Sequence, residues 1–332
     1  MPALAVGDAL RADGHEVAFL GGERAEARLV PQAGFPLHPI PGIGGLDRSN
    51  PLRAARGLLR AGAGARTATR LLRELRPDAV LGGGGYVAGV VGAAAVARRI
   101  PLVLTEADSH LGLSNRALAP LARRVCLAFP VREGERFVVT GRPVPPPATD
   151  RAAARARFGL GTDETCVLVF GGSLGARSIN RAAVEAFADA PFRVLHVAGE
   201  RDFPSLVAPG PHYDLRAYLD RFGEALLACD LCVARAGGSV FEVAAAGRPA
   251  VLVPYPHASA DHQTGNARFF ARAGAAVVVP DAELDGPRLA HVVGELLADP
   301  DRLASMGRAA LALARPDAAQ RIAAELVAAA RT

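Results

Sequence analysis

The chain has 332 residues, too many for one ordinary core and suited to two domains of about 150 residues each. Half the residues are hydrophobic and 5% are aromatic, an Ala/Gly-rich α/β composition that excludes a disordered chain, and no apolar run reaches the roughly 18 residues a membrane span needs. Residues 1–142 carry 19 Arg against 12 acids and residues 143–332 carry 19 against 21, so the positive net charge lies wholly in the first part, which is expected to face something anionic.

Pro2 to Ala12 is expected to be helical, with Pro at a helix start and Gly14 beyond its end, and Asp8, Arg11 and Asp13 interrupt what would otherwise resemble a signal peptide. His15–Leu20 follows as a strand, Arg66–Leu75 as a helix, and Ala79–Leu81 as a strand running into Gly82-Gly-Gly-Gly-Tyr86. A helix over Val90–Arg99 leads to the strand Leu102–Thr105, and this alternation implies a parallel sheet. The proline-rich stretch Thr140–Thr149 (TGRPVPPPAT) is the best linker candidate. The second half repeats the rhythm, with strands over Cys166–Phe170, Arg193–Ala198, Leu231–Ala234, Ala250–Pro254 and Ala275–Val279, and a last helix over Arg315–Arg331.

The sequence contains no lysine, so all 38 basic residues are arginines, and a Walker-type phosphate lysine or a Schiff-base lysine is excluded. Of the four cysteines, Cys229 and Cys232 have C-x-x-C spacing but sit in the apolar run ACDLCVA with no second Cys/His pair at ligand spacing. They are expected to be buried strand residues rather than a metal or redox site, which suits a reducing cytoplasm.

Three glycine or polar loops follow strand ends in the second half. Val169-Phe-Gly-Gly-Ser-Leu-Gly-Ala-Arg177 is a strand, a glycine loop and a helix start, the arrangement that brings backbone N–H groups up to a phosphate. Arg235-Ala-Gly-Gly-Ser-Val-Phe-Glu242 repeats it and places Glu242 in a first helical turn, where a carboxylate either caps the helix or accepts both hydroxyls of a ribose. Asp261-His-Gln-Thr-Gly-Asn266 is a dense polar set just after a strand end, where open α/β sheets bind ligands.

In combination, GGGGYVAG (82–89), GGSLGARSIN (171–180), RAGGSVFEVAAAG (235–247) and DHQTGNA (261–267) resemble the MurG family, and the likeness runs from Pro2 to about residue 330. These are the UDP-GlcNAc:undecaprenyl-pyrophosphoryl-MurNAc-pentapeptide N-acetylglucosaminyltransferases. The resemblance implies a GT-B fold: two Rossmann-like domains with parallel sheets facing across a cleft, here residues 1–142 and 143–314, with the helix over 315–332 packing back on the first. It implies an inverting transfer of GlcNAc from UDP-GlcNAc to lipid I, without metal or other cofactor, in peptidoglycan synthesis. The partners it implies are UDP-GlcNAc, lipid I and an anionic membrane surface at the cytoplasmic face of the cell membrane, and no nucleic acid. By position, Ser173 would touch the diphosphate or uridine, Leu219 would lie near uracil, and Gly238, Ser239 and Val240 would flank the phosphates. Glu242 would hold the ribose, and Gln263 and Asn266 would read sugar hydroxyls. Gly84, Gly85 and Tyr86 would belong to the acceptor side. Arg53, Arg56, Arg60, Arg70 and Arg73, interleaved with leucines over Leu52–Arg76, would face the membrane.

The sequence departs from the family in three places. The family's first strand and GGTGGH loop precede its PALA helix, whereas this sequence opens at Met1-Pro2 inside that helix, which is read as a start assigned too late, with a real truncation as the alternative. HEQN is replaced by Thr105-Glu-Ala-Asp108, and GNPVR by Gly141-Arg-Pro-Val-Pro145, leaving Arg142 as the substitute for a donor-site arginine. Without the histidine of the GGTGGH loop, Glu106, Asp108 and His110 are the candidates for the general base, and Asp108 is also a donor contact. Without that loop, transfer is expected to be weak. Rival readings are another UDP-sugar transferase acting on a lipid or natural-product acceptor, a silent UDP-sugar-binding protein, and a UDP-GlcNAc 2-epimerase.

Overall fold

The computed structural model describes residues 2–22, 25–40, 51–172 and 175–331; the side chains of 51–61 and of Ser259 lie outside that description. The chain divides into two compact units, Met1–Val144 with Asp317–Thr332, and Pro145–Pro316.

The first unit begins with α1 (Pro2–Ala12), β1 (Phe19–Gly21), α2 (Ala25–Gln32) and β2 (Leu37–Pro39), and β1 and β2 pair in parallel. The strand expected over His15–Leu20 is confined to its end, because the His15 N–H is used to close α1 on the Leu10 carbonyl. Next come α3 (Pro51–Leu75), β3 (Val80–Gly82), α4 (Gly85–Ala97), β4 (Leu102–Glu106), α5 (Leu113–Leu118), β5 (Arg124–Leu127) and β6 (Phe137–Val139). Strands β3 to β6 form a parallel sheet in sequence order. Leu102, Val103 and Leu104 are all buried, as a strand covered on both faces requires. Helices α3 and α4 cover one face through Leu71, Leu72, Val91 and Ala95.

The second unit contains α6 (Arg151–Arg157), β7 (Cys166–Phe170), α7 (Arg177–Ala186), β8 (Arg193–Val197), β9 (Tyr213–Arg216), α8 (Phe222–Ala228) and β10 (Leu231–Ala234). It continues with α9 (Val240–Ala245), β11 (Ala250–Leu252), α10 (His262–Arg272), β12 (Ala276–Val278), α11 (Gly286–Leu297) and α12 (Pro300–Leu313). Its six strands are all parallel in the order β12-β11-β10-β7-β8-β9. The order runs outward in one direction from β7 and in the other from β10. The crevice outside the carboxyl ends of those two neighbours is the topological switch point, where open sheets bind ligands. The core beneath it joins Val167, Val169, Val233 and Val251 to Ile179 and Leu289 of the covering helices.

The last helix, α13 (Ala318–Ala330), belongs to the first unit. Ile322 and Ala323 pack with Val6 and Leu10 of α1 and with Val103 and Cys126, and Arg124 pairs with Glu325. The C-terminal segment therefore covers the face of β4 and β5 that α3 and α4 leave open.

Candidate functional site

In the second unit, the loop from β7 to α7 turns on Gly172 and Gly175, with φ of +95° and +79°. Gly175 is forced by contact as well as by φ: a Cβ there would lie 2.3 Å from the Ala198 carbonyl oxygen. Ala176 precedes α7 in extended conformation and supplies no side-chain cap, so the first turn of the helix begins at the switch point with N–H groups that have no partner within the helix itself. Ser173 lies outside the described residues.

A buried network holds that loop from behind. Asn180 of α7 donates to the Ala198 carbonyl at 2.9 Å and to Asp202 Oδ2 at 3.2 Å. Its Oδ1 lies 3.0 Å from His196 Nε2, and His196 Nδ1 lies 2.7 Å from the Tyr213 hydroxyl. Burial pushes His196 down to about 4, so the ring is neutral; Nε2 donates to Asn180 while Nδ1 accepts from Tyr213. The hydrogen bond from Arg201 holds the Asp202 carboxyl below the usual carboxylate range.

The loop from β10 to α9 supplies the second wall. Gly238 and Ser239 are half-buried at the surface, and Ser239 opens α9, with Glu242 half-buried in its first turn. Val240 points the other way: its side chain is 2% exposed and its N–H donates to the Gly237 carbonyl at 3.2 Å, so what it offers a ligand is neither. Asn266 is 1% exposed and donates to the Ala236 carbonyl at 3.0 Å, which makes it an anchor of the loop rather than a surface reader of hydroxyls. Gln263 stays half-buried; its Oε1 accepts from the Tyr255 N–H at 3.0 Å and its amide nitrogen lies toward Gly237. Leu219, buried beyond the end of β9, borders the same carboxyl edge. Sequence reasoning missed Asn180, Ser178, Arg235 and Asp281, which cross-link these loops; the motif spelling GARSIN and RAGG contained the first three without indicating what they touch.

In the first unit, Gly84 and Gly85 both have positive φ, +80° and +74°, and lead directly into α4. Helix α4 therefore starts at Gly85 rather than at the expected Val90, and Tyr86 lies half-buried in its first turn. The neighbouring loop after β4 is organised by Glu106. Its Oε1 accepts from the N–H of Ala107 and Asp108 at 3.0 and 3.3 Å, and its Oε2 accepts from the Gly112 N–H and the Asn115 amide at 2.8 and 2.9 Å. A carboxylate so enclosed has its acceptor positions filled by its own loop, whereas Asp108 and His110 lie half-buried on the same loop. Asn115 also donates to the Thr105 carbonyl, and Ser114 donates to the Gly85 carbonyl at 2.8 Å, so the two loops are knitted together. Arg142 is half-buried in the extended segment after β6.

Helix α3 turns Ala68, Leu71 and Leu72 into the core and Arg66, Arg70 and Arg73 outward. Of the leucines interleaved with those arginines, Leu71 and Leu72 are thus core residues and Leu75 is exposed. Arg53, Arg56 and Arg60 fall in the first turns of the helix, where the side chains lie outside the described residues. Among the described residues no helix is long and apolar enough to cross a membrane, and no group of three or more His, Cys, Asp or Glu could hold a metal. Cys229 and Cys232 are free, fully buried thiols 3.6 Å apart, and burial pushes the Cys229 thiol up.

The sequence matches the glycosyltransferase family 28 N-terminal domain over residues 1–127 and the glycosyltransferase family 28 C-terminal domain over residues 166–322. A Rubrobacter xylanophilus protein is 42% identical over 98% of both chains, and a Moorella thermoacetica protein is 40% identical over 97% of this chain and 93% of its own. Each bears the name UDP-N-acetylglucosamine–N-acetylmuramyl-(pentapeptide) pyrophosphoryl-undecaprenol N-acetylglucosamine transferase. The crystal structure of Acinetobacter baumannii MurG superposes with a TM-score of 0.81 at 29% identity, over 98% of this chain and 95% of that one. With two parallel-sheet Rossmann-like units, glycine loops at the strand ends and both domains of one family spread along its length, the chain belongs to glycosyltransferase family 28 and has the GT-B fold.

Proposed function

We propose that this protein is a UDP-GlcNAc-dependent N-acetylglucosaminyltransferase that transfers GlcNAc from UDP-GlcNAc to the C4 hydroxyl of the MurNAc residue of lipid I, giving lipid II and UDP. The observation that carries this reading is the pair of glycine loops at the switch point between β7 and β10, in a chain whose full-length relatives bear that activity in their names. The donor diphosphate sits against the N-terminal turn of α7 and the Gly237–Ser239 loop, where oriented N–H groups meet the charge that develops as UDP leaves. Glu242 accepts the ribose hydroxyls, Leu219 packs near the uracil, and Gln263 reads the sugar. Gly84, Gly85 and Tyr86 meet the acceptor. Asp108 or His110 takes the proton of the attacking hydroxyl, and Glu106 shapes the loop that presents them. Arg70 and Arg73 bring the first unit to an anionic membrane, each basic residue near such a surface contributing about 1 kcal/mol.

Incubation with radiolabelled UDP-GlcNAc and lipid I tests the transfer. Labelled lipid II with one UDP released per transfer is expected, and UDP-ManNAc without lipid product would overturn it in favour of an epimerase. For the membrane role, binding to phosphatidylserine vesicles at low salt is expected to fall on changing Arg56, Arg60, Arg70 and Arg73 to Gln; equal binding by the variant refutes it.

A further inference from the structure

The three loops at the carboxyl ends of β7, β10 and β11 meet at one buried side chain. Arg235 follows β10 immediately and precedes the Ala236-Gly237-Gly238 turn, yet it is only 8% exposed. Its Nη1 donates to Asp281 Oδ1 at 2.6 Å and to the carbonyls of Val253 and Pro254, both at 3.2 Å. Its Nη2 donates to the Ser178 hydroxyl at 2.7 Å, and that hydroxyl donates in turn to Asp281 Oδ1 at 2.6 Å. Ser178 is the second residue of α7, so the triangle ends on the helical turn that follows the Gly171–Gly175 loop.

Stability alone is a weak reason for such a group. A buried ion pair gives back in desolvation much of what it gains in attraction, and a well-packed apolar substitute is often as stable. What the trio supplies is geometry. The planar guanidinium offers donors in fixed directions, which a lysine cannot reproduce, and a hydroxyl is the small group that accepts from Arg235 and donates to Asp281 at once. A shift of α7 along its axis would break the Ser178 link, and a shift of the 236–239 turn would carry Arg235 off the Val253 and Pro254 carbonyls.

We propose that Ser178, Arg235 and Asp281 form a brace that positions the first turn of α7 against the Gly237–Gly238 loop, making Ser178 and Arg235 positioning residues for the donor diphosphate. The assignment rests on the donor site proposed above. It is distinct from direct contact with UDP-GlcNAc, since the Ser178 hydroxyl, Asp281 Oδ1 and both Nη nitrogens of Arg235 are engaged within the trio and on the Val253 and Pro254 carbonyls.

The test uses the full chain with UDP as the probe. Ser178→Ala removes the link to α7 while leaving the Arg235–Asp281 pair. Its Kd for UDP by titration calorimetry is expected to rise roughly five- to thirtyfold, the loss of one charge-assisted hydrogen bond's worth of positioning. Its melting temperature is expected to stay within about 3 °C of the wild type, and Ser178→Thr should restore the affinity. The KM for UDP-GlcNAc should rise in parallel while the KM for the lipid acceptor holds, a split that a general loss of folded protein does not produce. Arg235→Lys should behave as Ser178→Ala where it folds; where it does not, Ser178→Ala decides. Wild-type affinity in Ser178→Ala overturns the brace alone. Failure of the wild type itself to bind UDP overturns the donor-site reading and the brace with it.

Discussion

Replacing Gly175 by alanine perturbs the β7–α7 loop where its backbone lies against the Ala198 carbonyl, and Gly172→Ala supplies the control within the same loop. Both positions have positive φ, so alanine at either costs about 1–2 kcal/mol in backbone strain. The surroundings separate them. At Gly172 a Cβ meets nothing within 4 Å; at Gly175 it would stand 2.3 Å from the Ala198 oxygen and 3.0 Å from Asp202 Oδ2. Neither neighbour is free to yield, because the Ala198 carbonyl accepts from Asn180 and Asp202 is held by Asn180 and Arg201. Relief requires moving α7 away from β8, a local overpacking worth about 1–3 kcal/mol beyond the strain. For a unit of this size that difference corresponds to a melting temperature about 2–12 °C lower for Gly175→Ala than for Gly172→Ala, read by circular dichroism. UDP titration of the same proteins is expected to show about tenfold or greater weakening in Gly175→Ala, as displaced N–H groups lose the diphosphate. Equal melting temperatures and equal UDP affinity in the two variants would refute the placement of Ala198 against this loop.

Glu242→Ala is expected to weaken UDP-GlcNAc binding by roughly 1–3 kcal/mol in calorimetry, and unchanged affinity in a folded variant removes Glu242 from the ribose site. His196 titrates near 4 when folded against an ordinary 6.5 unfolded, so the unfolded chain binds the extra proton between those values. Its contribution is therefore complete above about pH 6.5 and is lost as pH falls toward 4, up to about 3 kcal/mol by urea unfolding; His196→Gln should remove that part of the slope, and the same slope in the variant refutes the buried neutral histidine. Glu106→Gln turns an amide donor onto the N–H groups of its own loop and should cost about 1–3 kcal/mol of stability, while Asp108→Asn should lower kcat without moving the melting temperature; the reverse pattern would exchange the roles of the two residues.

The features that could be read from the sequence are those written in runs. Cys166–Phe170 and Leu231–Ala234 are continuous apolar segments closed by glycines, and both are strands with those bounds, buried on both faces. The turn that follows the first of them is legible for the same reason, since glycine between a strand end and a helix start supplies the positive φ such a turn needs, as Gly172 and Gly175 do. Local composition misled at two helix starts. Gly57, Gly62 and Gly64 argue against a helix before Arg66, yet α3 begins at Pro51. Four glycines in a row suggest a loop through Gly85, yet α4 starts there, two positive-φ glycines turning the chain sharply enough to bring the helix start up to the end of β3.

The polar cross-links were beyond reach for a different reason. Arg235 and Ser178 are 57 residues apart, and Asn180 and His196 are 16 apart on a helix and the next strand. No periodicity or spacing marks such a pair, because each member is chosen by a geometry that only the parallel order β9-β8-β7-β10-β11-β12 creates. The family resemblance therefore carries Asn266 over as a reader of sugar hydroxyls and leaves Glu106 among the candidates for the general base, without showing what either side chain touches. In the fold both bond to the loops themselves: the buried Asn266 donates to the Ala236 carbonyl, and Glu106 accepts from four N–H groups of residues 107–115. A loop that must present backbone N–H groups to a ligand cannot also satisfy its remaining polar atoms with that ligand, so buried side chains must hold it from behind. Beside the glycines of the 82–85, 171–175 and 236–238 loops, the described polar residues divide between buried ones bonded to loop backbone, such as Glu106, Asn180 and Asn266, and half-buried ones at the surface, such as Asp108, Ser239 and Gln263, and exposure separates the two where residue type does not.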